Sequence, residues 1–265
     1  MTAIIIGTYN RGDLLRRSLH AYAKTGGITL VIMDDGSTDN TLQVVKEFAN
    51  VDGLNIEYVN LGPKTGYRDS ASYLNVGIKY ALHVLKADHI FITHPEIIVG
   101  RTTIQSAVAR AKNKNIWVSC KGYYLTELHQ DYMQYYKTFD AIDLKDEFDL
   151  KLSPSPEHSG NPDYLPANID KAKVWDSWIF AGGSRAMWEY FGGLTEFETW
   201  GSVDVDLLRR RHAAGMKTVT PQKFSDYVVH QNHDNNAQRD VTKCMAALID
   251  YETKEQALKP ELLKA

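Results

Sequence analysis

An α/β fold with a mostly parallel central sheet and helices on both faces is the class that the sequence predicts, on three observations. Short apolar runs alternate with stretches of helical spacing through the first 124 residues. These runs are near-continuous in Ile, Val and Leu instead of alternating with polar residues, which marks strands covered on both sides. The runs also end in polar clusters, Thr8-Tyr9-Asn10, Asp34-Asp35 and His94-Pro95-Glu96. Those are carboxyl ends of strands, where open α/β sheets bind ligands.

Taken in order, 3–7 (AIIIG) reads as the first strand. Residues 11–24 carry Leu14, Leu15, Leu19 and Tyr22 at helical spacing. The second strand, 28–36, closes on two aspartates and a glycine, and the cap-forming run Ser37-Thr38-Asp39-Asn40 then opens a helix over 37–48. A third strand over 54–60 leads to a helix over 69–86, a fourth over 88–93 to a helix over 102–113, and a fifth strand covers 116–124. Residues 125–176 are aromatic and polar, with scattered prolines and poor periodicity, and read as an irregular insertion serving as a lid or acceptor-binding excursion. Ordered patterns return in 178–193, 200–217 and 226–236, before a helical C-terminal tail, 237–265. The expectation is one domain over 1–236, with a ligand-binding half (1–124) and a second half (125–236).

The totals narrow the function. A net charge of −3 over 265 residues argues against a nucleic-acid or membrane surface. The two cysteines, Cys120 and Cys244, form no CxxC pair and fit a reducing compartment. No apolar window reaches about 18 residues, so no membrane span is expected. With no basic segment ahead of an apolar stretch at the N-terminus, the expectation is a soluble, cytoplasmic protein.

Each polar cluster has a chemical reading and a plain one. Asp34 and Asp35 can accept hydrogen bonds from a base, bind a metal, or simply shape a strand–helix turn. In extended backbone His94 and Glu96 point to one side, with Pro95 stiffening the arrangement. Such a pair suits a divalent cation or a cation-free clamp on a diphosphate, or is an ordinary polar strand end. His230 in VVHQNH could complete a ligand set, with His233 as the alternative. Asp204 and Asp206 stand where a helix begins, as a general base or as dipole partners. The pairs Gly182-Gly183 and Gly192-Gly193 allow close backbone approach to a ligand, or are turns. Trp175, Trp178, Trp188 and Trp200 can stack on sugars or fill a core.

Together the segments IIIGTYNR, VIMDDGSTDNT, GYRDSASYLNVGIKYA, ADHIFITHPEIIVG and FAGGSRAMWEYFGGLTEFETWGSVDVDLLRRRHAAGMK resemble, in that order, a GT-A glycosyltransferase of the family 2-like group. The resemblance runs from about residue 3 to 236 and adds nothing on 125–176. It implies a nucleotide-diphosphate sugar donor, with uridine the commonest base, and a divalent cation, Mn²⁺ or Mg²⁺. Thr8, Tyr9 and Asn10 would line the nucleotide pocket, Asp34 and Asp35 would hold base or ribose, and Arg68 and Asn75 would approach the nucleotide. His94 and Glu96 take the two carboxylate positions of the family's DxD motif, and His230 matches a late histidine that ligates the metal in some relatives. Asp204 matches the aspartate of a Glu-Asp pair that deprotonates the acceptor in inverting members; the glutamate is Val203 here, and the usual arginine before Asn75 is Leu74.

The resemblance thus implies an inverting transferase with Asp204 as base. A retaining transferase on the same fold, and a non-catalytic relative that only binds a nucleotide sugar or glycan, are the alternatives. A nucleotidyltransferase is disfavoured, because residues 7–12 (GTYNRG) lack the expected lysine-bearing glycine-rich loop. Glycan, lipid-linked sugar, protein and modified nucleobase all stand open as acceptors, as does the oligomeric state.

Overall fold

The computed structural model describes residues 1–66, 68–120, 122–125, 179–197, 203–221 and 228–231. The expected tail 237–265, and the expected insertion 125–176 apart from Leu125, lie outside the described residues. In chain order the elements are β1 (Thr2–Thr8), α1 (Gly12–Ala23), β2 (Ile28–Asp34), α2 (Thr41–Phe48), β3 (Leu54–Asn60), α3 (Ser70–His83), β4 (His89–Thr93), β5 (Ile97–Ile98), α4 (Arg101–Arg110), β6 (Ile116–Ser119), β7 (Gly122–Tyr124), β8 (Phe180–Ser184), α5 (Arg185–Phe191), α6 (Val203–Ala213), β9 (Lys217–Val219) and β10 (Val228–His230).

The main sheet has the strand order β3-β2-β1-β4-β8-β6-β9. Its left half is parallel, with Ile5 opposite Val31 and Ile92. Period-two alternation then sends successive side chains of each strand to opposite layers. Ala3 and Ile5 of β1 join Val31 and Met33 of β2 in one core with α3, α5 and α6. Ile4 and Ile6 join Leu30 and Ile32 in the other, with α1, α2 and α4. Both layers are dry, so the strands read as unbroken apolar runs.

Two features depart from the sequence reading. β8 runs antiparallel to both of its neighbours, β4 and β6, because an apolar pattern encodes burial but not strand direction. The expected fifth strand, 116–124, is two strands: β6 stays in the main sheet, while β7 joins a small sheet of order β5-β10-β7. Since β5 follows β4 and β7 follows β6 within a few residues, the small sheet stands beyond the carboxyl edge of the main one.

Gly182 and Gly183, expected to admit a ligand, lie inside β8 opposite Phe91 and Ile90. A Cβ on Gly182 would fall 2.1 Å from the Ile90 carbonyl oxygen, and one on Gly183 would fall 2.8 Å from Met187 Cε. The close approach that they permit is to their own neighbours in the fold. Trp188 is likewise a core residue, 1% exposed, with Nε1 donating to the Ile90 carbonyl at 2.8 Å and its ring edge-on to Trp117 at 5.5 Å. Trp175, Trp178 and Trp200 lie outside the described residues. No described helix is long and apolar enough to cross a membrane.

Candidate active site

The loops after β1 and β2 are knitted together before any ligand is considered. Asn10 adopts a left-handed backbone conformation (φ +51°), which asparagine tolerates better than most residues. Its Oδ1 accepts from Thr38 N at 2.7 Å and Asp39 N at 3.3 Å, and its own N–H donates to Ser37 Oγ at 2.8 Å. Asp35 N donates to the Thr8 carbonyl at 2.9 Å. Asn10 therefore ties the two loops together, with its side-chain oxygen already engaged. Thr8 is 2% exposed, and its Oγ1 has no hydrogen-bond partner among the described residues. A buried hydroxyl left so is rare and points to a missing polar partner.

The two aspartates divide their work. Asp34, expected to hold base or ribose, is a buried brace: Oδ1 accepts from Ser37 N at 2.8 Å and Oδ2 from the Tyr58 hydroxyl at 2.5 Å. Burial first, and then this bond, push the Tyr58 pKa up to about 12. Asp35 is the electrostatic centre. Its side chain is 2% exposed, with Lys64 Nζ at 2.6 Å from Oδ2 and Arg68 Nη1 at 2.7 Å from Oδ1. The arginine contact is an ion pair out of hydrogen-bonding line. Lys64 also lies 4.4 Å from the ring centroid of Tyr9, which is 40% exposed. Gly36, at φ +84°, lets the loop carrying Lys64 close in, since a Cβ there would fall 2.2 Å from the Gly62 carbonyl. Lys64 was not singled out from the sequence; the available signal was a lysine and an arginine four apart in the crossing from β3 to α3.

Asn75, which the resemblance implies would approach the nucleotide, has both ends of its amide engaged within the fold. Its Nδ2 donates to the Leu194 carbonyl (2.8 Å) and Glu196 Oε1 (3.1 Å), and its Oδ1 accepts from Leu194 N (2.8 Å). Both ends of the amide hold the segment that follows α5. Asp69 helps: it caps α3 through Ala71 N and accepts from Phe197 N at 2.6 Å. Arg210 clamps the same segment from α6, donating to Phe191 O at 2.7 Å and Gly193 O at 2.9 Å. Residues 194–197 are thus tied to the start of α3, at the carboxyl edge. The sequence reading placed Asp69 at the start of the helix expected over 69–86; both its cap and its long-range bond come from the structure.

Burial raises the Asp69 pKa above its ordinary 3.8, outweighing the hydrogen bonds that lower it. The native state then keeps a proton that the unfolded chain gives up. Below the unfolded pKa this contribution to stability is fully present, and it is lost as pH rises through the folded value. In urea titrations from pH 3.5 upward, Asp69→Asn is expected to flatten that part of the stability profile. An unchanged slope would show that Asp69 is not the group responsible.

Asp204 lies in the first turn of α6, and its side chain is outside the described set. Topology places that turn. β9 is parallel to β6 and starts just after α6, so α6 runs from the carboxyl edge back to the amino edge. Asp206, by contrast, is 2% exposed and 3.8 Å from Arg210, a structural position.

His94-Pro95-Glu96 is a turn, not the extended segment expected from the sequence. Ile97 N donates back to the His94 carbonyl at 3.1 Å, with Pro95 at the turn position that its fixed φ favours. The turn is braced from two sides. Ser18 Oγ of α1 donates to the Pro95 carbonyl at 2.7 Å, and Gln231 N to the Glu96 carbonyl at 3.0 Å. β10 pairs antiparallel with β5, His230 opposite Ile97, so His230 and the turn meet at one junction. His230 Nδ1 is 2.7 Å from the Gln231 carbonyl, which selects the tautomer with its lone pair on Nε2, the form that ligates metals. Among the described residues no three His, Cys, Asp or Glu side chains converge as a complete metal site. His233 lies outside them.

Comparison with known proteins agrees with this architecture. Residues 3–85 match the family described as Glycosyl transferase family 2. Validoxylamine A glucosyltransferase of Streptomyces hygroscopicus subsp. jinggangensis (strain 5008) is 26% identical over 282 aligned residues, covering all of this chain and 63% of that protein. Its counterpart in subsp. limoneus is also 26% identical, with 59% covered. The chain spans about three fifths of the length of these relatives. S. aureus TarS 1–349, solved with UDP-GlcNAc, superposes over 94% of this chain and 66% of its own with TM-score 0.62 at 15% identity. Glucosyl-3-phosphoglycerate synthase from Mycobacterium tuberculosis, solved with Mn²⁺, UDP-glucose and phosphoglyceric acid, gives TM-score 0.51 at 14% identity over 94% of this chain and 79% of its own. The sequence match to that family is confined to residues 3–85, and over most of its length the chain shares the fold of the solved TarS structure.

Proposed function

We propose that the protein transfers a sugar from a uridine-diphosphate donor to an acceptor hydroxyl, with inversion at the anomeric carbon. The observation that carries this reading is the group at the carboxyl edge: buried Asp35 holding Lys64 and Arg68 beside the exposed Tyr9 ring, next to the unpartnered Thr8 hydroxyl. A carboxylate can accept from a base N–H or ribose hydroxyls, an aromatic face can stack on the base, and two cations suit a diphosphate. The solved structures of TarS and glucosyl-3-phosphoglycerate synthase, with UDP-GlcNAc and UDP-glucose, support uridine.

In the step itself, the acceptor oxygen forms a bond to the anomeric carbon as the bond from that carbon to the diphosphate oxygen breaks. The acceptor proton passes to Asp204, and the electron pair leaves with the diphosphate. Lys64 and Arg68 stabilise the negative charge that develops there. A divalent cation, Mn²⁺ or Mg²⁺, when bound by His94, Glu96 and His230, supplies further charge neutralisation on the leaving group. The donor set fits such an ion in its nitrogen and oxygen chemistry and in the tautomer of His230.

A thermal-shift panel of UDP-, GDP- and dTDP-sugars, each with Mn²⁺ or EDTA, tests the reading. Uridine donors are expected to raise the melting temperature most, by several degrees where the ligand stands at 100 times its Kd and adds about 2.7 kcal/mol. The increment should be larger with Mn²⁺. A panel in which no nucleotide sugar moves the transition would overturn the proposal.

A further inference from the structure

A directional chain of hydrogen bonds runs through the wall behind the His94-Pro95-Glu96 turn. Arg17 Nη1 donates to Gln231 Oε1 (3.3 Å), Gln231 Nε2 donates to Ser18 Oγ (3.2 Å) and to the Leu14 carbonyl (3.0 Å), and Ser18 Oγ donates to the Pro95 carbonyl (2.7 Å). Ser18 and Gln231 are each 0% exposed. Two uncharged polar side chains buried this deeply cost desolvation, and an apolar pair would fill the same gap without aiming anything. What the chain aims is specific. It fixes the Pro95 carbonyl, while the Gln231 backbone N–H donates to the Glu96 carbonyl and the Gln231 carbonyl accepts from His230 Nδ1. Each donor polarises the next, so the relay is stiffer than its separate bonds.

We propose that Gln231 and Ser18 are positioning residues for the donor site: through the Pro95 carbonyl and the β10 edge they set His94, Glu96 and His230 in the mutual orientation that a cation-bound diphosphate needs. The inference rests on the function proposed above and adds residues that contact neither donor nor acceptor. Gln231 is the sharper probe, because its amide must donate on one side and accept on the other. A carboxylate of the same size can accept from Arg17 but cannot donate to Ser18 or Leu14.

The test uses the full chain and three variants: Gln231→Glu, Ser18→Ala, and Val44→Ala as a core control away from the turn. UDP affinity is measured by titration calorimetry with Mn²⁺ and with EDTA, and the ratio of the two Kd values reports cooperation with the cation. In Gln231→Glu and Ser18→Ala that ratio is expected to fall about ten-fold, with the EDTA value little changed. Val44→Ala should lower the melting temperature and leave the ratio alone. Hydrogen exchange gives a second readout, since amides of 96–98 should lose protection in Ser18→Ala while those of β1 keep theirs. A native ratio retained in both turn variants, or lost equally in Val44→Ala, would overturn the assignment, as would unchanged exchange at the turn. Native protein that binds UDP with no Mn²⁺ dependence would sink this inference alone. Native protein that binds no UDP under either condition would sink the donor reading, and this inference with it.

Discussion

Asp204→Asn is expected to lower kcat for glycosyl transfer by about 10²–10⁴-fold, while UDP-sugar affinity stays close to native. Asparagine matches aspartate in shape but cannot take the acceptor proton, so the loss should fall on the chemical step and not on donor binding. Position supports the choice: the first turn of α6 lies at the carboxyl edge, because β9 must begin at the amino edge to run parallel with β6. The neighbouring carboxylate cannot take over, since Asp206 is buried beside Arg210. Steady-state kinetics paired with donor calorimetry separates the two effects, and the anomeric configuration of the product, read by NMR, reports inversion or retention. A variant that keeps most of its rate would remove Asp204 from the mechanism.

Gly182→Ala should damage the fold severely for the addition of a single methyl group. The added Cβ would sit 2.1 Å from the Ile90 carbonyl oxygen and 2.7 Å from Phe91 Cα. These are backbone atoms of the neighbouring strand, which cannot rotate aside. The Ile90 carbonyl is also the acceptor for the buried Trp188 indole N–H, so parting the strands breaks a core hydrogen bond as well. A loss of about 3 kcal/mol is expected, or roughly 6–12 °C in melting temperature for a chain of this size. Thermal unfolding checks it directly. The result also separates two roles for the glycine pair. A ligand-approach role predicts native stability with weakened donor binding, whereas a packing role predicts the reverse order of effects.

Much of the architecture was legible in the residues. The near-continuous apolar stretches in 3–7 and 28–36 read as strands buried on both faces, and the helices between them follow from spacing and caps. The polar strand ends pointed to the carboxyl edge, and Asp35 and Arg68 do meet there. What the residues did not carry is a partner distant in the chain. Asn75 and Asp34 look like ligand-binding groups locally, yet their hydrogen bonds go to Leu194 and Tyr58. The spacing of Lys64 and Arg68 was the one local signal, and it does not reveal that their partner is a buried carboxylate 29 residues before Lys64.

By itself, then, the sequence determined the layered α/β class and the edge on which the polar chemistry collects, because burial periodicity and the succession of elements along the chain are local in origin. Only the tertiary structure decided which polar residues brace one another, that β8 is reversed, and that His-Pro-Glu is a turn braced by Ser18 and Gln231. Those outcomes depend on hydrogen bonds between residues up to 217 positions apart, and such pairings are set by how the packed elements meet, which no local pattern carries.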